Sequence, residues 1–258
     1  MIWLLQIPAP ILGFLWVVVI VGVSVGGLLV FRKAVSHTRL ENANALSGTM
    51  FHLAGVLYAV LVAFVVVVVW EQFGDAEDAS GKEASAIADL LRDSAALPAE
   101  SRTQIEDTLI AYTRTVIDDE FPRMHRGEDI ELRSDELTAV WNAYLKVQPE
   151  TRNEIAVFDH AIGRLSDLDT DRSLRVSTGA AAVPGELWVL LVGGGGVVMA
   201  FTFLFGTRDV LIHALSVGLT AALLSFVLYL IFALEHPYVG DLSVEPTEYE
   251  NVLEIWAE

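Results

Sequence analysis

Four stretches of the chain are apolar almost without interruption: Ile11–Phe31, Met50–Trp70, Leu187–Gly206 and Val210–Leu234. A helix rises 1.5 Å per residue, so about 20 such residues cover the roughly 30 Å hydrocarbon core of a bilayer, and each stretch predicts a membrane-spanning helix. Between the second and third stretches the pattern changes. Apolar positions recur every three or four residues, as at Ala84, Ile87, Leu90 and Leu91, at Ile105, Leu109, Tyr112 and Val116, at Leu137, Val140, Trp141, Tyr144 and Leu145, and at Ile155, Phe158, Ile162 and Leu165. That spacing belongs to amphipathic helices, and nowhere does the chain alternate with a strand's period of two. The expected architecture is all-α, a polytopic membrane protein with four transmembrane helices, two before and two after a soluble helical bundle. The divisions fall at residues 1–73, 74–185, 186–234 and 235–258.

Local signals place the helix ends. The second span opens without a break into GDAEDASGKEASAIADLLRD, which predicts one helix running from lipid into water as far as about Ala96. Pro98 suits a first helical turn, and the helix it opens is expected to stop near Phe121-Pro122. Ser134-Asp135-Glu136 offers a capping hydroxyl followed by first-turn acids, and Pro149 precedes another start. Residues Thr207, Arg208 and Asp209 leave room only for an antiparallel hairpin between the last two spans. The tail from Glu235 holds seven acids and no lysine or arginine and is expected to form a loop and a short helix against the bundle. The amino terminus has no basic residue before its apolar run and no small-x-small cleavage pattern, so that run is expected to stay in the mature protein.

Charge narrows the function classes. The 258-residue chain carries a formal net charge of −18, and most of its 34 acids lie between Glu71 and Asp171. Such a field repels nucleic acid and gathers cations, which leaves a lipid bilayer and inorganic ions as the expected partners and excludes nucleic acid. There is no cysteine, hence no disulfide, thiol nucleophile or thiolate metal site. Arg32, Lys33 and Arg39 in the first connector and Arg208 in the hairpin turn fall on one side of a four-span topology. The positive-inside rule makes that side cytoplasmic, with the bundle and both termini on the non-cytoplasmic side of the cell (inner) membrane. Lys82, Arg172 and Arg175, at the ends of the bundle nearest the spans, pull the other way.

Several residues are candidates for a site. On the second span Gly48, His52, Gly55, Ala59 and Ala63 share one helical face, small enough to admit another helix or a column of water. His52 is ionisable about one turn inside that span, a costly placement that suggests a role. Glu71 and Glu235 end the second and fourth spans and are candidates for a vestibule or selectivity ring. Asp167, Asp169 and Asp171 alternate like the first ligands of a calcium loop. The loop's sixth position is Arg172 and its twelfth Thr178, where glycine and glutamate are needed, so the three are weak metal candidates and no metal or other cofactor is expected. Gly193–Gly196 weaken the third span's helix, which predicts either close packing of another backbone or a hinge. No histidine pair, serine-histidine-acid set or phosphate loop is present, and an enzyme is not expected.

Two spans, a helical domain and two more spans, together with GVLYAVLVAFVVVVVWEQF and its alanine- and glutamate-rich continuation, Leu97-Pro98, FTFLFGTRD and EHPYVGDLSVEP, resemble the prokaryotic bestrophin-like membrane-protein family. The resemblance covers nearly the whole chain. It implies a homo-oligomer, pentameric as in bestrophins, conducting anions through a pore lined by the second span at Gly48, His52, Gly55, Ala59 and Ala63. It also implies a cytosolic helical domain, opposite to the charge bias. The acidic domain alone suggests cations instead. A reading from another class is a non-conducting membrane scaffold or envelope sensor whose acidic domain binds a protein partner.

Overall fold

The computed structural model describes residue 5, residues 7–180 and residues 182–257, with the side chains of His37, Arg39 and Ala257 outside that description. Its described residues form helices and no strand. In chain order the helices are α1 (Ala9–Ala34), α2 (His37–Glu41), α3 (Asn44–Ser94), α4 (Ala99–Thr115), α5 (Phe121–His125), α6 (Asp135–Tyr144), α7 (Arg152–Ala180), α8 (Gly185–Phe203), α9 (Val210–Leu234) and α10 (Thr247–Ala257). Helices α1, α3, α8 and α9 are long and apolar enough to cross a membrane. The described residues divide into an apolar unit, residues 7–71 with 182–235, and a polar unit, residues 72–180 with 236–257.

In the apolar unit α1 packs along α9, and α9 also meets α8. Trp16 stacks on Phe232 at 5.6 Å, and the Tyr229 hydroxyl donates to the Ala9 carbonyl at 2.8 Å. The turn between α8 and α9 is held by Asn44, whose amide both donates to the Gly206 carbonyl (2.9 Å) and accepts from its N–H (2.7 Å). A β-carbon on Gly206 would stand 2.1 Å from the Glu41 backbone nitrogen, so only glycine allows this approach. Asp209 caps α9 through the Leu211 and Ile212 amides.

The polar unit is built around the C-terminal half of α3. Ile87, Leu90, Ile105, Leu109, Tyr112, Val140, Tyr144 and Leu165 form its core. Ser134 caps α6, as its sequence predicts. The start of α7 falls at Arg152, after a capping box in which Thr151 accepts from the Glu154 amide and Glu154 from the Thr151 amide. The helix opened by Pro98 does not stop at Phe121-Pro122. A π-helical turn, Val116–Glu120, follows α4, and α5 then carries the chain to His125. Pro122 has no N–H to give, and the turn just before it is the wider one, in which Phe121 donates to Val116 five residues back. The tail folds onto this unit: Tyr238 and Tyr249 lie edge-on to Phe121 at 5.8 and 5.5 Å.

Candidate functional site

The small-residue line on α3 does not pack within its own unit. The residues of this helix buried there are Ser47, Tyr58, Val65 and Val69, displaced around the helix from the line. His52, Ala59 and Ala63 are exposed, a β-carbon on Gly55 would meet nothing within 4 Å, and one on Gly48 would only touch Phe205 at 3.8 Å. Continuing the line by three and four residues reaches Val66 and Trp70, the latter 66% exposed. Trp70 is not small, yet the helical period places it on the same face as the small residues.

Tyr58 carries the contact between α3 and α8. Its ring lies over Gly194 and Gly195, where added β-carbons would come within 2.8 and 3.0 Å, and its hydroxyl donates to the Leu191 carbonyl at 3.0 Å. The glycine run therefore receives an aromatic ring at two of its positions, not another backbone. Gly193 and Gly196 face open space.

The two terminal glutamates differ. Glu71 is exposed, whereas Glu235 is 5% exposed and accepts from the Trp188 indole N–H at 2.8 Å. Asp167, Asp169 and Asp171 all lie on α7, with Asp169 turned away from the other two, and among the described residues no group of acids and histidines is arranged to hold a metal. At the far end of the apolar unit, His213 is buried between Arg32 Nη1 and the Thr202 carbonyl, each 3.0 Å from a ring nitrogen.

The polar unit holds a buried chain of four charges, Glu83, Arg175, Glu120 and Arg172. Glu83 accepts from Arg175 Nε at 2.7 Å and Nη2 at 3.1 Å, and from the Tyr112 hydroxyl at 2.6 Å. Glu120, on the π-helical turn, bridges Arg175 and Arg172 with one oxygen each at 2.5 Å. Arg172 also donates to the Leu132 and Glu131 carbonyls. Two carboxylates and two guanidiniums cancel, which is what permits such burial. Burial pushes the Glu120 carboxyl upward, but Arg175 and Arg172 outweigh it and hold the group below its ordinary value. Burial, reinforced by Glu83, raises the Tyr112 hydroxyl well above its own. Arg172 and Arg175 are therefore core residues, not the surface charges their sequence position suggests.

Four apolar helices of spanning length define an all-helical membrane protein. The Bestrophin-like domain family matches residues 18–249, and the chain belongs to it. Solved structures share the fold at low identity. A point variant of a bacterial bestrophin homologue from Klebsiella pneumoniae is 15% identical, with a TM-score of 0.65 over 94% of this chain and 99% of that one. A second variant of that homologue is 16% identical, with a TM-score of 0.64 over 93% and 99%. A structure described as a membrane protein is 14% identical, with a TM-score of 0.69 over 94% and 99%. No curated protein matches the sequence.

Proposed function

We propose that the chain assembles into a homo-oligomeric ion channel whose pore is lined by α3, with Gly48, His52, Gly55, Ala59 and Ala63 facing the pathway and Trp70 at its end. The two pairs of spans flank a water-borne polar unit. The observation that carries this reading is that His52, Ala59 and Ala63 are exposed and Gly55 has open space beside it, so that, His52 apart, this face offers only small groups to a water-filled path once copies are arranged around it. Membership of the family supports it. Pentameric assembly and anion selectivity are the expectations the resemblance carries. The charge of the acidic polar unit attracts cations instead, and reversal potentials in salt gradients decide between the two.

The purified chain is expected to conduct in planar bilayers, and Ala59→Trp to block the current while leaving the oligomer assembled. A folded oligomer that stays silent across pH, calcium and voltage, with crosslinks showing the α3 helices packed dry against each other, sinks the channel and leaves a scaffold. By exposed charge, the Arg32–Lys33 connector and the Arg208 turn face the cytoplasm. Because the chain has no cysteine, single-cysteine variants Lys33→Cys and Asp118→Cys test this. An impermeant maleimide on intact cells should label the second and spare the first.

A further inference from the structure

Arg32 lies in the last turn of α1, His213 in the first turn of α9 and Thr202 in the last turn of α8. Arginine only donates hydrogen bonds and a carbonyl only accepts them. His213 Nδ1, 3.0 Å from Arg32 Nη1, must then keep its lone pair, and Nε2, 3.0 Å from the Thr202 oxygen, must carry the proton. Both bonds coexist only in the neutral ring. The Thr202 carbonyl is one of the last four of its helix, which have no partner within the helix, so the ring also closes the end of α8.

The other charges at this end stand on exposed surface or take part in contacts of their own. From α1 the only other ionisable residue at this end is Lys33, which is exposed, and α8 offers none here because Glu186 stands in its first turn. On the chain leading into α9, Asp209 Oδ1 accepts from the Leu211 and Ile212 amides, and Glu41, the last residue of α2, lies 3.3 Å from Arg208.

We propose that Arg32, His213 and Thr202 form an acid-released latch at this end of the apolar unit. A proton taken from solvent onto Nδ1 replaces the acceptor of the Arg32 bond with a cation carrying its own N–H, and the guanidinium is expelled. The Nε2–H bond to Thr202 persists, now from an imidazolium to a helix C-terminus, where positive charge is favoured. The net movement is the parting of the end of α1 from the α8–α9 hairpin, while the hairpin itself stays closed. This goes beyond the channel reading and is measured without current.

The test uses the full chain in nanodiscs, with Ala34→Cys and Leu211→Cys, both exposed, carrying spin labels and diluted with unlabelled chain. Pulsed EPR is expected to give a short, narrow distance at pH 8 and a longer, broader one at pH 5, reversibly. His213→Gln mimics the neutral ring, its oxygen accepting from Arg32 and its amide donating to Thr202, and should keep the short distance at both pH values. Equal wild-type distances at the two pH values, or a glutamine variant that still moves, overturns the latch. If that variant does not assemble, 15N-histidine spectra of the wild type decide. Nδ1 should be bare at pH 8 and gain its proton over the pH range in which the distance changes, and a proton already on Nδ1 at pH 8 or gained out of step overturns it.

Discussion

The buried charge chain makes a quantitative prediction through its balance. Glu83→Gln leaves two guanidiniums to one carboxylate, and Arg175→Met leaves two carboxylates to one guanidinium. Charge centres near 4 Å at an effective dielectric of 20 interact by about 4 kcal/mol, and breaking one half of a buried pair costs about 3–5 kcal/mol. Each single substitution should therefore lower the melting midpoint of the polar unit by about 10–20 °C. The double substitution restores neutrality: Glu120 keeps Arg172, and the glutamine oxygen can still accept from Tyr112. It should cost no more than either single change, giving a coupling of at least about 3 kcal/mol. Helical circular dichroism of the purified protein through urea and heat measures all four forms, with unfolding rates compared where melting is irreversible. Additivity within about 0.5 kcal/mol would refute the reasoning, because it would mean that the carboxylate and the guanidinium do not compensate each other.

Other substitutions separate packing from propensity. Gly194→Ala drives a β-carbon to within 2.8 Å of the Tyr58 ring and should cost about 1–3 kcal/mol in thermal stability. Gly193→Ala meets nothing within 4 Å and should be neutral or gain up to about 1 kcal/mol of helix propensity; if it instead weakens assembly in native electrophoresis, that face is covered by a second copy. Gly206→Ala collides with the Glu41 backbone and should break the Asn44 clamp, lowering the yield of folded protein in size-exclusion chromatography. Glu120 has its carboxyl held below the ordinary value of 4.5, so its contribution is complete above that pH and is lost as pH falls through the folded value. Acid unfolding of the wild type should steepen below about pH 4.5, and Glu120→Gln should flatten that part of the curve.

Much of the fold is legible because hydrophobic periodicity and the Ser134 cap act locally. The four apolar runs all became helices, although α8 ends at Phe203 where its apolar pattern continues to Gly206, since Gly206 is needed for close contact with the connector. The π-helical turn was not legible, because proline signals an ending and not the local widening that avoids one. The buried charges left a signal that hydropathy discards. On α7 the line Ala161, Leu165 and Leu168 continues at helical spacing to Arg172 and Arg175, and on α3 Ala76, Ala79 and Ser80 lead through Glu83 to Ile87 and Leu90. An ionisable residue standing in register on an apolar stripe demands a partner of opposite charge on a facing helix. The candidate pore line was readable as a face. What it turns towards was not, because that depends on which neighbouring side of α3 Tyr58, Val65 and Val69 occupy.

The same burial alters the argument about sidedness. A positive-inside count weighs lysine and arginine in short loops, since long domains cross largely regardless of their charge, and a segment of more than 100 residues separates the second span from the third. Arg172 and Arg175 belong to that long segment and carry little weight in the count, and in the folded unit their charge is cancelled by Glu83 and Glu120. Lys82 remains exposed but stands 3.9 Å from Asp78 in a strongly acidic surround. On the other side Lys33 and Arg208 stay exposed, and Arg32 is half-buried against His213. The residues that opposed a cytoplasmic connector have thus mostly lost their weight. Replacing Arg32, Lys33 and Arg208 together by glutamine should then scramble maleimide accessibility at residues 34 and 118. The charge-neutral pair Glu83→Gln with Arg175→Met should leave it unchanged, and a topology that followed the buried arginines would overturn this account.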